Sequence, residues 1–209
     1  MPQLPRFREP WCMRCGVPVA FGRCHCADLS PALDMLRSVA AYDGWLRQAI
    51  VSFKYHDEWS RADHLGQLLA MTVRLMPKAD GIVPVPLHAK RLRQRGFNQS
   101  TLLAQVISRH VGVPVCDLLL RAKLTMQQVG LSAVERHHNV AGAFQLRSGQ
   151  SAQGARFVLI DDVVTTGSTL GACAEALSQG GASFIGAATL AHDRRPTLPF
   201  EPSAHDRAD

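Results

Sequence analysis

Val158-Leu159-Ile160-Asp161-Asp162-Val163-Val164-Thr165-Thr166-Gly167-Ser168-Thr169 is the stretch on which the reading of this chain turns. Three apolar β-formers run directly into two acids, two valines follow, and a hydroxyl-rich turn around one glycine opens the next segment. The pattern predicts a buried strand over Arg156 to Ile160 and a helix over Ser168 to Gln179. Adjacent carboxylates at a strand end accept hydrogen bonds from a vicinal diol such as the 2′- and 3′-hydroxyls of ribose. Hydroxyls and a glycine at a helix start offer backbone N–H groups, side-chain donors and the positive end of the helix dipole, which together cradle a phosphate. The bland alternative is a strand end followed by a capped helix. Two acids closing an apolar strand weigh against it, because a buried carboxylate is costly without partners. A Walker-type loop is disfavoured because no Gly-Lys-Ser/Thr follows, and a dinucleotide fingerprint because one glycine stands where three are needed. Diol acceptors and a phosphate cradle one short loop apart describe a site for ribose 5-phosphate.

Working outward, Gly81-Ile-Val-Pro-Val-Pro86 reads as a short buried strand and Ser183 to Leu190 as a final strand. Trp45 to Met76 carries apolar residues at helical spacing. Asn98 or Ser100 caps a helix through Leu102, Leu103, Val106 and Ile107 to His110. Cys116 to Leu120 is a further short apolar run. Strand, helix, strand in this rhythm predicts an α/β fold, a parallel sheet with helices on its faces. Ligands sit at the carboxyl ends of such strands, which places the loops after Val85 and after Ile160 on one rim. Lys90, Arg91, Arg93 and Arg95 follow the first of these loops. If helical, Arg91 and Arg95 share a face, and positive groups there stabilise a diphosphate and its departure. A solvated basic turn or a DNA-contacting face are the alternatives. Residues 121–145 are polar and irregular, longer than a simple connection needs, which marks a functional loop.

The 209 residues suffice for one α/β domain with a small attachment. Three parts are expected: a Cys-rich segment over 1–28, the α/β domain over 29–192 and a polar tail over 193–209. A net charge of +6 points to an anionic partner, with nucleic acid, a phosphorylated small molecule and plain solubility all open. No apolar run approaches the ~18 residues of a membrane helix, and the N-terminus has no apolar signal region, so no membrane partner and a cytoplasmic location are expected. Cys12-x-x-Cys15 with Cys24-x-Cys26 supplies four thiolates suited to a closed, structural Zn2+ site. A redox dithiol at Cys12 and Cys15 is the competing reading, without the preceding strand that a thioredoxin-like context needs. Cys116 and Cys173 sit in apolar surroundings and read as core residues. Trp11, Trp45 and Trp59 are too scattered to form a stacking platform for single-stranded nucleic acid.

The segment 158–169 resembles the signature of type I phosphoribosyltransferases: an apolar strand, two acids, two apolar residues, then Thr-Thr-Gly-x-Thr. Pro84-Val-Pro-Leu-His88 with Arg91, Arg95, Gly96, Phe97 and Asn98 resembles a motif of the ComF family. Thr125, Gln128, Leu131, Arg136, Asn139 and Gly142-Ala-Phe144 resemble its second motif, and the likeness runs from the Cys cluster to about His192. The resemblance implies a type I phosphoribosyltransferase fold with an N-terminal zinc ribbon. It implies that Asp161 and Asp162 are the catalytic pair holding the ribose hydroxyls of phosphoribosyl diphosphate. Thr165, Thr166, Gly167, Ser168 and Thr169 would bind the 5′-phosphate, and Arg91 and Arg95 would line the pyrophosphate side. Segment 121–145, with Thr125, Gln128, Arg136 and Asn139, would fold over the substrate. Mg2+ would bridge ribose and diphosphate oxygens. The family usually has two Cys-x-x-Cys pairs; this chain shortens the second to Cys24-His25-Cys26, so His25 is a possible substitute ligand. Two functions stay open: transfer of the phosphoribosyl group to an unidentified acceptor, or a DNA-uptake or DNA-utilisation adaptor that keeps the site as a ligand sensor. The first must release pyrophosphate, the second need only bind. DNA, the uptake machinery and a second copy of the chain are the possible macromolecular partners.

Overall fold

Strands buried on both faces carry continuous apolar runs, and two segments of that kind form the centre of a four-stranded parallel sheet. The computed structural model describes residues 11–18, 26–55, 61–122 and 142–193. Cys24, His25, Thr125, Gln128, Leu131, Arg136, Asn139 and residues 194–209 lie outside them. The elements are β1 (Met35–Ala41), α1 (Gly44–Tyr55), α2 (Arg61–Arg74), β2 (Gly81–Pro84), α3 (Ala89–Arg95), α4 (Gln99–Val111), β3 (Leu119–Arg121), β4 (Phe144–Leu146), β5 (Arg156–Val164), α5 (Ser168–Gln179) and β6 (Phe184–His192). The sheet order is β1-β6-β5-β2, so β5 and β6 are central. Beyond β2, Ile82 donates to the Pro114 carbonyl at 2.9 Å and accepts from the Cys116 N–H at 2.8 Å. β3 and β4 form a separate antiparallel pair.

Successive residues of a strand face opposite ways, and the two faces of β5 serve two cores. Phe157 and Leu159 join Leu36, Val83, Leu170, Cys173 and Leu177, so that α5 and the β3–β4 pair cover one face. Val158 and Ile160 join Leu46, Ile50, Phe53, Leu69, Leu103 and Ile107, so that α1, α2 and α4 cover the other. Cys15 and Val17 of the N-terminal segment are buried in the first of these cores. Among the described residues no helix is long and apolar enough to cross a membrane.

Three expectations change. β1 is a strand that the sequence reading did not separate; its Leu-Arg-Ser-Val run breaks the apolar pattern because it lies at the sheet edge beside β6. The Cys116 to Leu120 run divides into a bridge beside β2 and the start of β3. The decisive strand does not stop at Ile160 but runs to Val164, because β6 extends to His192 and supplies partners, pairing Asp161 with Thr189 and Val164 with His192. The acid pair therefore lies within a strand.

Close helix packing completes the layer beneath the site. A Cβ on Gly66 of α2 would lie 2.5 Å from Val106 Cβ of α4. Gly66→Ala should therefore force the helices apart and destabilise the fold by about 1–3 kcal/mol, read as a lower denaturation midpoint at unchanged slope.

Candidate functional site at the carboxyl end of β5

Each side of the site is held by a local device. β2 ends against β5 with the Val85 N–H donating to the Ile160 carbonyl at 3.0 Å. His88 then caps α3, its Nδ1 accepting from the Lys90 N–H at 3.1 Å. Within α3, Arg91 and Arg95 are half-buried whereas Lys90, Arg93 and Gln94 are exposed, so the two arginines do share the inward face. Asn98 performs two tasks. Its Oδ1 accepts from the Ser100 N–H at 3.1 Å, capping α4, while its Nδ2 donates to the Val85 carbonyl at 3.0 Å, tying the cap to the β2 end. Of the two candidate caps, Asn98 is the one used. Ser100 is left free to donate through Oγ to Asp161 Oδ1 at 3.0 Å.

The acids are contacted from several elements. Asp161 Oδ1 also accepts from the Asp162 N–H at 2.9 Å. Asp162, 7% exposed, forms an ion pair through Oδ1 with Lys54 Nζ of α1 at 2.8 Å. Burial foremost, and then the charge of Asp162, push the Asp161 carboxyl up to about 7 against the counter-pull of Lys54 and the two hydrogen bonds. Burial pulls Lys54 down, but the carboxylates of Asp162 and Asp161, with Tyr42, outweigh it and raise its pKa. On the opposite face, burial holds Arg121 of β3 below the usual guanidinium range, as does the positive charge of Arg91, while Asp161 acts in the other direction. The Arg121 guanidinium lies 5.2 Å from the Phe144 ring centre. Burial and the Asp161 carboxylate raise the Cys173 thiol well above its ordinary value, which fits an unreactive core cysteine.

The hydroxyl loop follows directly. Gly167 precedes α5 with φ of 81°, a left-handed conformation that favours glycine, and the first helical N–H, that of Ser168, donates to Thr166 Oγ1 at 3.4 Å. Thr166 and Ser168 hydroxyls lie 2.7 Å apart; with Thr165 and Thr169 they are half-buried around the helix start. Behind the loop is Leu29, whose Cδ2 would lie 2.9 Å from a Cβ on Gly167. Leu29 comes from a turn beginning at Cys26, its N–H donating to the Cys26 carbonyl at 3.3 Å.

Cys12, Cys15 and Cys26 bring their sulfurs within 4.8 Å of one another, and Cys12 Sγ and Cys26 Sγ are 3.3 Å apart. Three soft donors at this spacing can hold a metal ion. Among the described residues no other group of three His, Cys, Asp or Glu side chains does so. Arg37 donates to the Met13 carbonyl at 2.8 Å and Arg14 to the Ser30 carbonyl at 3.2 Å, fixing the segment on β1 and the phosphate-loop side.

Of the sequence-derived candidates, Asp161 and Asp162 lie near the end of β5 and Thr165 to Thr169 in the loop and helix start that follow it, with the α3 arginines at the adjoining strand end. Lys54, Ser100 and Arg121 were missed. Lys54 had a faint signal, a cation set between the aromatic residues Phe53 and Tyr55. Ser100 was read only as a cap, and Arg121 only as part of an irregular loop.

The described family of phosphoribosyl transferase domains matches residues 98–207. Competence protein F of Haemophilus influenzae is 33% identical over 84% of this chain and 82% of its own length. DNA utilization protein YhgH of Salmonella typhi is 34% identical over 86% of this chain and 83% of its own. Competence protein ComFC of Bacillus subtilis is 29% identical, covering 74% of this chain and 62% of that protein.

The raised Asp161 carboxyl has a consequence for stability. The folded state binds its proton more tightly than the unfolded chain, so this group's contribution falls as pH rises from about 4 to about 7. Asp161→Asn should remove that dependence and, at pH 8, stabilise the fold by about 1 kcal/mol, seen as a rise of ~3 °C in the melting temperature.

Proposed function

Because the chain belongs to the ComF family, with its phosphoribosyl transferase domain, we propose that it binds phosphoribosyl diphosphate along Asp161–Thr169 and transfers the ribose 5-phosphate group to an acceptor, releasing pyrophosphate. The observation carrying this reading is the continuity of the acid pair with a hydroxyl-rich helix start at the carboxyl end of a central strand. Asp161 and Asp162 are the acceptors for the two ribose hydroxyls. The Thr165–Thr169 hydroxyls and the first N–H groups of α5 hold the 5′-phosphate. Arg91 and Arg95, with Arg121 across from them, attract the diphosphate.

In the reaction the bond between C1 of the ribose and the diphosphate oxygen breaks, its electron pair leaving with pyrophosphate. The acceptor's lone pair forms the new bond to C1 and its proton passes to solvent or to the departing pyrophosphate. Positive charge develops on the sugar ring and negative charge on the leaving group. The acids beside the ring and the arginines beside the diphosphate stabilise both. Mg2+, where bound beside the acids and the arginines, would supply positive charge against the leaving group.

In this reading residues 1–28 form a zinc module against the 29–192 domain, with Cys12, Cys15 and Cys26 and a fourth ligand from Cys24 or His25. The ion's contribution is structural, closing a segment too short to hold itself. The relatives' names, competence protein and DNA utilization protein, support a role in the uptake or use of DNA.

Two measurements test these assignments. Calorimetric titration with phosphoribosyl diphosphate and Mg2+, with pyrophosphate assayed in the same sample, should give binding and acceptor-dependent release; Asp161→Ala with Asp162→Ala should weaken binding at least ~100-fold while the circular dichroism spectrum is retained. Binding without release for any base or nucleotide would leave ligand sensing in place of transfer. Elemental analysis should find close to one zinc per chain, and chelation should lower the melting temperature. A folded, metal-free protein would overturn the zinc assignment.

A further inference from the structure

α1 contributes nothing to the motif that carries the proposed function, yet it sends one cation into the acid pair. Lys54 follows Phe53, which is fully buried, and Phe53 packs on Phe97 with ring centres 6.0 Å apart. The Phe97 segment leads into the Asn98 cap and Ser100. The base of the Lys54 side chain is thus anchored by the same packing that places Ser100. From there its Nζ reaches Asp162 Oδ1 at 2.8 Å, with one-fifth of the lysine side chain exposed.

The contacts are divided in a particular way. Ser100 Oγ and the Asp162 N–H fall on Oδ1 of Asp161, and Lys54 falls on Oδ1 of Asp162. Among the described residues these contacts leave Oδ2 of each acid outside them, one oxygen per ribose hydroxyl. We infer that Lys54 is a positioning residue that orients the acid pair and eases its ionisation, with the second oxygen of each carboxylate presented to a vicinal diol. This inference rests on the proposed binding of phosphoribosyl diphosphate, but its charge effect is measurable without any ligand.

The physics is specific to neighbouring acids. Two carboxylates side by side in a poorly solvated strand resist being charged together, and the pair retains a shared proton unless a cation offsets it. A protonated carboxyl directs a donor where a hydroxyl proton must be accepted, so an uncompensated pair binds the diol poorly. The charged and titratable groups around the pair are Lys54 and Tyr42 from α1 and the turn before it, Arg121 from β3 with Arg91 of α3 behind it, and Cys173 from α5. Of these, Lys54 holds an ion pair with Asp162 at 2.8 Å and also draws on Asp161, so its removal should shift the charge balance strongly.

The test uses the full chain as wild type, Lys54→Met, Lys54→Gln and Lys54→Arg, with folding checked by thermal melts. Carboxyl 13C NMR of the unliganded proteins should show the acid pair titrating about one pH unit higher in Lys54→Met and Lys54→Gln, with Lys54→Arg close to wild type. Calorimetry with Mg2+ and phosphoribosyl diphosphate should show about tenfold weaker binding than wild type at pH 6.5 in Lys54→Met, recovering to within ~3-fold at pH 9. An unchanged carboxyl titration overturns the inference, as does a pH-independent loss of affinity or a gain in affinity, which would make Lys54 a competitor for the site. Failure of the wild type to bind at any pH would overturn the proposed function instead, and the carboxyl titration would still decide the role of Lys54.

Discussion

Two carboxylates side by side in a strand paired along both edges impose a demand that the surrounding structure must meet. Asp161 and Asp162 stand on β5 just past the end of β2 and beside β6, where burial is high and the charge of Asp162 raises the cost of charging Asp161. Compensation arrives from both layers that sandwich the sheet. Lys54 and Ser100 come from α1 and α4, which cover one face, while Arg121 comes from β3 on the other. Crossover connections bring these residues to the acids from distant positions along the chain, 61 residues away for Ser100 and 108 for Lys54. A fold with helices on one face alone would leave half of this compensation missing.

The hydroxyl-rich loop before α5 is supported from behind by a different part of the chain. Leu29 packs under Gly167, and Ser30 donates through Oγ to Glu175 of α5 at 2.9 Å. Both follow immediately after Cys26, a member of the thiol cluster. The N-terminal segment is therefore continuous with the core that holds α5, and Cys15 and Val17 are buried in that core rather than in a separate one. Order in the thiol cluster and order in the loop share the same few residues.

Positive charge is sorted by the fold in a manner that the net charge conceals. Four cations occur within Lys90 to Arg95, yet helical geometry turns only Arg91 and Arg95 inward. Capping by His88 and Asn98 on either side of α3 sets that rotation relative to the β2 end. Arg121, from a distant segment, lies close enough to Arg91 for the positive charge of Arg91 to lower its pKa.

The α/β class, the central strands, α5 and the Asp161–Thr169 turn were all legible in the sequence, because each depends on local periodicity or on residue types with few other uses. Arg91 and Arg95 could likewise be separated from Lys90 and Arg93 by helical spacing alone. The edge strand β1, the extension of β5 through the acids and the partners Lys54, Ser100 and Arg121 were not legible. Strand length depends on how far a neighbour continues to offer hydrogen bonds, and β6 supplies them as far as His192. The role of a polar side chain depends on what packs against it, and for Lys54 that neighbour is 108 residues away along the chain. Local pattern therefore determined where an anionic sugar ligand would be sought, whereas tertiary packing decided the charge environment in which its hydroxyls would be held.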